Sequence, residues 1–294
     1  MAAGVLLLVL VGSVGTARAA WQHITILLST NGSINATAPA DQRAQSSLQN
    51  DFSTNELAQL DRLDPQSQAE MLLERAVGDS DSAAEQITAR LEYWTGKIKW
   101  NSQIANLTTA ALASRDLRIR RSGVEVELAA YGLAMDTASL DYVLHASRST
   151  DPAKKIWALW ALGLLANRGV GTSVAVQALT AHLKDSDQET RRWAVAALAL
   201  VGYPQSISPL LRTMHDDPSP SVRETAASGL AESGMMTREQ RLGAVPQLLT
   251  FTDDPGLDEQ TRSWAFQALA CITGQHLPDD PGAWRIWYTS PKVD

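Results

Sequence analysis

The sequence contains little cysteine, phenylalanine or tyrosine, and it has no excess of positive charge. Its 294 residues include one cysteine, three phenylalanines and five tyrosines, and 25 basic residues face 32 acidic ones. A single cysteine excludes an intramolecular disulfide and a cysteine-rich zinc module. The net charge of −7 disfavours a general nucleic-acid binder, because phosphate contacts need clustered lysine and arginine. Alanine and leucine, with 43 and 37 residues, favour helices over an all-β fold.

The N-terminal apolar run is too short to span a bilayer comfortably. Residues 4–14 form an uncharged run of 11 residues, and Ala17-Arg18-Ala19 follows shortly after it. This pattern predicts a signal peptide over residues 1–19 with cleavage after Ala19, and therefore an exported protein with no membrane span in the mature chain. Because residues 1–4 contain no lysine or arginine, an uncleaved membrane anchor stays open as the alternative. Residues 20–50, where Asn, Ser, Ala and Gln are frequent, predict a flexible stalk.

Five basic residues mark an internal repeat. They are Arg121, Lys155, Arg191, Arg223 and Arg262, at intervals of 34, 36, 32 and 39 residues. Alanine or valine stands three positions after each of them, leucine stands seven positions after each, and glycine stands eleven positions after three of the five. Offsets of 3, 7 and 11 share one helical face, where small side chains let a neighbouring helix approach closely. The terminal glycine predicts a left-handed C-cap.

Each copy of the repeat is predicted to hold two antiparallel helices. Asp151, Asp187 and Asp258 stand four residues before the basic position and are typical N-cap residues. The fourth copy has Ser219 there, and it carries Asp216-Asp217-Pro218 just upstream. The second apolar segments of the first four copies cover residues 140–145, 174–183, 207–214 and 244–251. Tandem helix pairs of this kind are expected to stack side by side.

The pattern D-x-x-x-R-x-x-A-x-x-A-L at residues 187–198 resembles the HEAT-repeat family, in particular its short bacterial form in phycobilisome lyase-like proteins. The resemblance extends from about Arg115 to Gly274. It implies an all-α fold, namely an α-solenoid of stacked antiparallel helix pairs, here with an N-terminal helical extension. It also implies a structural ladder in which the basic column pairs with aspartates of the same or the adjacent repeat. The predicted ladder residues are Asp151, Lys155, Asp187, Arg191, Arg223, Asp258 and Arg262.

These patterns divide the chain into five segments. After the signal peptide and the stalk, residues 51–114 form an N-terminal helical region with helices at 53–63, 66–77 and 82–94. About five HEAT-like repeats occupy residues 115–275. Residues 276–294 resemble the short tail that closes many bacterial HEAT arrays, with its tryptophans covering the last repeat.

Tryptophan supplies the candidate partner-binding residues. Trp157, Trp193 and Trp264 each lie two positions after the basic residue, and Trp160 lies one turn from Trp157. An aromatic stripe along stacked repeats could anchor a partner protein, since tryptophan is enriched at binding hot spots. Alternatively, the rings fill space between repeats, which is the interpretation that their position beside the core favours.

No catalytic constellation, metal site or cofactor motif is apparent in the sequence. The five histidines show no close metal-ligand spacing, and no GxSxG, P-loop or GxGxxG pattern occurs. His145 and His215 share one repeat phase, which predicts cations at helix C-termini. Cys271 is predicted to be a buried structural thiol because its neighbours are apolar. The densest basic cluster, Arg115, Arg118, Arg120 and Arg121, is the one feature that a DNA-binding protein would require.

The sequence therefore predicts an exported, non-enzymatic HEAT-repeat scaffold that binds another protein. The identity of that partner and the oligomeric state of the chain are open. The first alternative is a lyase or lyase subunit of the phycobilisome lyase-like type, which rests on the resemblance. The second alternative is a DNA-binding HEAT protein, which the acidic balance and the predicted export disfavour.

Overall fold

The computed structural model describes residues 52–78, 80–232 and 234–290. The predicted signal peptide and the predicted stalk lie outside the described residues. In the part that is described, the chain forms α-helices and two short 3-10 turns, without a β-strand. The predicted all-α fold is confirmed. No helix in these residues combines the length and the apolar character that a bilayer span requires.

The helices follow the predicted order, with one addition in the N-terminal region. The first five are α1 (Thr54–Leu60), α2 (Pro65–Val77), α3 (Asp81–Trp94), α4 (Ser102–Ala113) and α5 (Leu117–Ala130). The next five are α6 (Thr137–Ala146), α7 (Pro152–Asn167), α8 (Thr172–His182), α9 (Gln188–Val201) and α10 (Ile207–Asp216). The last five are α11 (Pro220–Ala231), α12 (Arg238–Arg241), α13 (Val245–Phe251), α14 (Glu259–Thr273) and α15 (Pro281–Thr289). The 3-10 turns are Pro204–Ser206 and Leu242–Ala244.

The chain divides into two compact units, and the division runs through α6 and α7. The first unit ends at Tyr142 and also includes Ser149–Trp157, whereas the second comprises Val143–Arg148 and the chain from Ala158 onward. In the first unit, α5 packs on α2, α3 and α4. Leu72, Ile87 and Trp94 are fully buried in the core that these helices share. The helix that carries the first basic position of the repeat thus packs on the N-terminal helices.

In the second unit, the helices with the basic positions form one layer, in which α11 packs between α9 and α14. The second helices of the repeats form the other layer, where α10 contacts α13. Across the layers, α9 packs on α8 and α10, α10 packs on α11, and α13 packs on α14. This is the stacked-pair arrangement of an α-solenoid.

Small residues permit this stacking, as the repeat columns predict. A Cβ atom added to Gly163 on α7 would lie 2.8 Å from the carbonyl oxygen of Ala197 on α9, and one added to Gly229 on α11 would lie 2.8 Å from the Cβ of Ala199. Gly202 ends α9 with a φ of 74°, the left-handed conformation expected of a C-cap glycine. In the second copy, α7 instead continues through Ala166, and Gly169 takes the left-handed conformation with a φ of 83°.

Candidate functional site

The ladder position on α9 is engaged by the next repeat. Nε of Arg191 donates to Oδ2 of Asp217 at 2.8 Å, and its Nη2 donates to Oδ1 at 3.2 Å. Nη1 donates to the backbone oxygens of Asp185 and Ser186 at the turn before α9. The side chains of Arg191 and Asp217 are only 11% and 4% exposed, so this bidentate ion pair is largely shielded from solvent. It raises the pKa of Arg191 further.

The ladder position on α11 repeats this arrangement one repeat later. Nη2 of Arg223 donates to Oδ2 of Asp258 at 2.6 Å, Nε donates to Oγ1 of Thr261 at 3.0 Å, and Nη1 donates to the backbone oxygen of Asp217 at 2.8 Å. Arg262 on α14 binds the carbonyl oxygens of Asp254 and Leu257 in the preceding turn. Each of these guanidinium groups therefore binds the carbonyls that lead into its own helix, and two of them also reach the following repeat.

The predicted aspartates cap helices. Asp187 accepts a hydrogen bond from the backbone nitrogen of Thr190 at 2.8 Å, and Asp258 accepts one from that of Thr261 at 2.8 Å. Each threonine hydroxyl binds the same aspartate, and these bonds lower the pKa of both carboxyl groups. Asp151 caps α7 by accepting from the backbone nitrogen of Ala153 at 3.0 Å. Lys155 lies half-buried in the first turn of that helix.

The predicted ladder did not include the acceptor Asp217 or the two threonines. Asp217 lies six residues before Arg223, not four, so it falls outside the column that contains Asp187 and Asp258. It accepts a hydrogen bond from the backbone nitrogen of Ser219 at 2.8 Å. The two threonines could have been found from the sequence, because an Asp-x-x-Thr spacing occurs at the start of both α9 and α14.

The four candidate tryptophans differ in exposure. Trp193 is completely buried, Trp157 and Trp160 are each 6% exposed, and Trp264 is half-buried. In the second unit, Trp160 and Trp193 meet edge to face at 6.1 Å between ring centroids, and Arg192 lies over the Trp193 ring at 5.5 Å. In the first unit, Trp157 contacts the rings of Tyr131 and Tyr142, each at 6.0 Å. This burial favours the packing interpretation for Trp157, Trp160 and Trp193. Contact of a partner protein with the tryptophan column stays a prediction.

The exposed surface of the second helices in the second unit consists mostly of uncharged side chains. One row of residues on each helix faces solvent, and we call these rows the outward face. It includes Gln177 and Ala181 on α8, Ser208 and Arg212 on α10, and Gln247 and Thr250 on α13. By contrast, every residue of α9 from Trp193 to Val201 is buried. Outward contact from these repeats is therefore made mainly by the second helices.

A family model for HEAT repeats matches residues 140–231. These residues are therefore similar to HEAT repeats. The bilin biosynthesis protein RpcF of Synechococcus sp. (strain WH8020) is 39% identical to this chain over 69 residues. The match covers 24% of this chain and only about a third, 33%, of the length of that relative.

Solved structures of engineered proteins are similar to the chain at low sequence identity. A computationally designed armadillo repeat protein for modular peptide recognition is 17% identical, with 70% of this chain and 99% of that chain covered and a TM-score of 0.34. A further engineered protein, also 17% identical, covers 84% of this chain and 67% of its own, with a TM-score of 0.36.

In the second unit, Cys271 differs from its prediction, and His215 makes contacts beyond the predicted one. Cys271 is exposed, so the prediction of a buried thiol was wrong: it follows Gln267 by one turn on the solvent side of α14. Partial desolvation, and then Glu232, raise the pKa of the Cys271 thiol to about 11. His145 and His215 lie in the last turns of α6 and α10, and His215 also contacts two carboxylates.

The arginine cluster of the first unit is partly engaged within the chain. Arg118 forms ion pairs with Asp81 and Asp116, the latter at 2.6 Å. Arg120 is 7% exposed and donates from Nε to the backbone oxygen of Ser114. The guanidinium groups of Arg118 and Arg120 thus bind atoms of the same unit. Among the described residues, no group of three or more His, Cys, Asp or Glu side chains is arranged to hold a metal ion.

Proposed function

We propose that the chain is an exported, non-enzymatic HEAT-repeat scaffold that binds another protein through the second helices of its repeats. The observation that carries this proposal is the contrast between the layers of the second unit. The first helices are held by arginine–aspartate contacts, of which the pair of Arg191 and Asp217 is buried, whereas the second helices present the outward face. A rigid layer that supports an exposed one suits a binding scaffold, because a preorganised surface loses little entropy on association.

The chemistry of the outward face supports recognition of a folded or extended protein segment. Its side chains are largely uncharged, so a partner that contacts it has few charged groups to desolvate. Arg212 is exposed and supplies one cationic donor, a residue type that is enriched at protein interfaces. The other outward side chains, such as Gln177 and Gln247, offer hydrogen-bond donors and acceptors.

Site-specific photo-crosslinking tests this surface. A photoreactive residue is placed singly at Gln177, Arg212 and Gln247, and at Gln267 on α14 as the control in the other layer. We expect one and the same protein partner to be crosslinked from the three outward positions and not from position 267. Equal crosslinking from position 267, or no crosslinking from the outward positions, contradicts the proposal.

Export is tested separately by N-terminal sequencing of the protein isolated from its native cell. Cleavage after Ala19 gives a mature chain that begins at Ala20, and we expect it outside the cytoplasm. A chain that retains Met1 and sediments with membranes supports the uncleaved anchor instead.

A second candidate, a bilin lyase or lyase subunit, is favoured by the match to the bilin biosynthesis protein. Its test is an absorption titration of a free bilin with the purified protein. Saturable spectral change at stoichiometric protein supports this candidate. An unchanged spectrum, together with the crosslinking pattern above, supports the scaffold.

A further inference from the structure

His215 joins the second helices of two successive repeats. Its Nδ1 lies 2.5 Å from Oδ1 of Asp216, which follows it in the chain, and its Nε2 lies 3.1 Å from Oδ2 of Asp254, which follows α13. The ring also packs on Phe251 of α13 at 5.1 Å between centroids. One imidazole therefore connects the end of α10 to the end of α13, 39 residues further along the chain.

Both ring nitrogens face carboxylate oxygens, and this geometry suits only the charged ring. A protonated imidazole has two N–H donors, whereas a neutral imidazole has one donor and one acceptor. Ionised carboxylates only accept hydrogen bonds. When the ring loses its proton, one of its two contacts must therefore be lost, and the remaining nitrogen lone pair faces a negative charge.

We propose that His215, Asp216 and Asp254 form a pH-sensitive clasp that holds two successive repeats together when the imidazole is protonated and loosens when it is neutral. The clasp is the counterpart, in the second-helix layer, of the arginine–aspartate contacts in the first-helix layer. Those contacts also position it, because Arg191 binds Asp217 next to the clasp and Arg262 binds the backbone oxygen of Asp254. This inference is independent of whether the chain binds a protein partner.

The other charged groups on the elements around α10 are engaged elsewhere or lie outside the clasp. Asp217 binds Arg191, Asp253 binds Arg285, and Asp258 binds Arg223. On α9, Arg192 binds Glu189, and α13 carries no charged side chain. The charged side chains that remain are Arg212 on α10, Glu224 on α11, and Glu259 and Arg262 on α14. Of all these groups, Asp216 and Asp254 are the two whose carboxylates contact the ring.

The direction of the pH effect follows from these contacts. Hydrogen bonds to Asp216 and then Asp254 raise the pKa of His215 above its usual 6.5. The stabilisation is therefore fully present below pH 6.5 and is lost as the pH rises through the higher pKa of the folded state. At the acidic end, the clasp persists until Asp254 is protonated, and the pKa of that carboxyl is lowered from 3.8, chiefly by the backbone nitrogen of Gly256 and then by His215.

An NMR titration of the His215 ring in the intact protein is the first test, because it needs no substitution at His215. We expect a titration midpoint above 6.5 in the wild type, and a lower midpoint in Asp254→Asn, since the amide removes one negative charge from the ring. A wild-type midpoint at or below 6.5, or the same midpoint in both proteins, overturns the proposal.

Amide hydrogen exchange in residues 251–257 is the second test, measured at pH 5.5 and pH 8 and corrected for the intrinsic exchange rates. In the wild type, we expect the protection of these amides to fall several-fold at the higher pH. Each unit by which the pKa of His215 is raised corresponds to a fall in protection of at most about tenfold. His215→Gln should remove this pH dependence, because glutamine does not titrate.

His276→Gln is the matched control for this exchange experiment, since His276 is exposed in the same unit and lies outside the clasp. It should keep the wild-type pH dependence. If His215→Gln and the wild type show the same pH dependence, or if His276→Gln removes it, the clasp does not exist as described.

Discussion

The two units of the molecule stabilise their helices by different means. In the first unit, one buried amide organises the polar contacts of an apolar core: Gln68 donates to the carbonyls of Leu60 and Leu63 and accepts from the indole nitrogen of Trp94 at 3.0 Å. In the second unit, one kind of polar contact recurs from repeat to repeat, as Arg191 binds Asp217 and Arg223 binds Asp258. The first arrangement occurs once, and the second recurs with the sequence period.

This difference determines how far a substitution acts. A change at Gln68 or Trp94 disturbs the one core that helices α1 to α5 share. A change at a recurring contact removes a link between two neighbours, and in a repeat array stability is approximately a sum of such neighbour terms. Substitutions in the two units should therefore differ in how far their effects spread.

Trp193→Ala is expected to have the largest effect. The ring is completely buried and packs against Trp160, so truncation leaves a large cavity beside α9 and lowers the free energy of unfolding by about 3–5 kcal/mol. Urea denaturation followed by circular dichroism measures this change. Trp264→Ala, at a half-buried ring in the same repeat column, should cost less than half as much. Equal losses of stability in the two variants would show that the cost does not depend on how deeply each ring is buried. A small loss in Trp193→Ala would favour the interpretation that the tryptophan column binds a partner.

Arg191→Met tests the recurring contact itself. The substitution leaves the carboxylate of Asp217 buried without its cation, and we expect it to destabilise the protein by about 3 kcal/mol. The double variant Arg191→Met with Asp217→Leu removes both charges, and most of the loss should be recovered in the same denaturation experiment. Arg212→Met, at an exposed arginine on α10, is the control and should be nearly neutral. If the loss of stability in the double variant equals the sum of the losses in the two single variants, the ion pair is not the cause of the destabilisation.

Gln68→Leu is the equivalent test in the first unit. It leaves the indole N–H of Trp94 and the two carbonyls without their partner, which we expect to cost about 2 kcal/mol. Hydrogen exchange should show the loss throughout α2, α3 and α5, whereas Arg191→Met should act on α9 and its neighbours. Gln59→Leu on the exposed side of α1 is the control. Confinement of the Gln68→Leu effect to one helix would contradict the shared core.

The helix pairs of the second unit could be predicted because their determinants recur. The basic residue, the small residues and the leucine recur at fixed offsets, so each copy confirms the others, and α8, α9, α10 and α13 lie within a few residues of the predicted segments. The first unit gave no such agreement between copies. There α4 was not predicted as a separate helix, although Asn101 caps it in the typical way.

The contacts between repeats were less predictable, because they depend on which turns the stacking brings together. His215 and Asp254 are 39 residues apart, and no local pattern relates them. Asp217 replaces the usual aspartate from a different offset, so a column search does not find it. Cys271 shows the opposite error: its neighbours along the chain are apolar, but its position on α14 faces solvent.

The smallest expected effect compares two N-cap aspartates, one from each unit. Asp64 caps α2 by accepting from the backbone nitrogens of Gln66 and Ser67, and Asp258 caps α14 but also binds Arg223 of the preceding repeat. Asparagine is as good an N-cap as aspartate, so Asp64→Asn should leave the urea midpoint unchanged. Asp258→Asn keeps the cap and loses the charge that faces Arg223, and because the carboxylate is half exposed the cost should be only about 0.5–1 kcal/mol. Added salt should reduce this difference between the two variants, since it screens the ion pair and not the cap. If both variants behave alike at low salt, the contact of Asp258 with Arg223 contributes no stability beyond the helix cap, and the recurring stabilisation of the second unit is confined to the buried pair of Arg191 and Asp217.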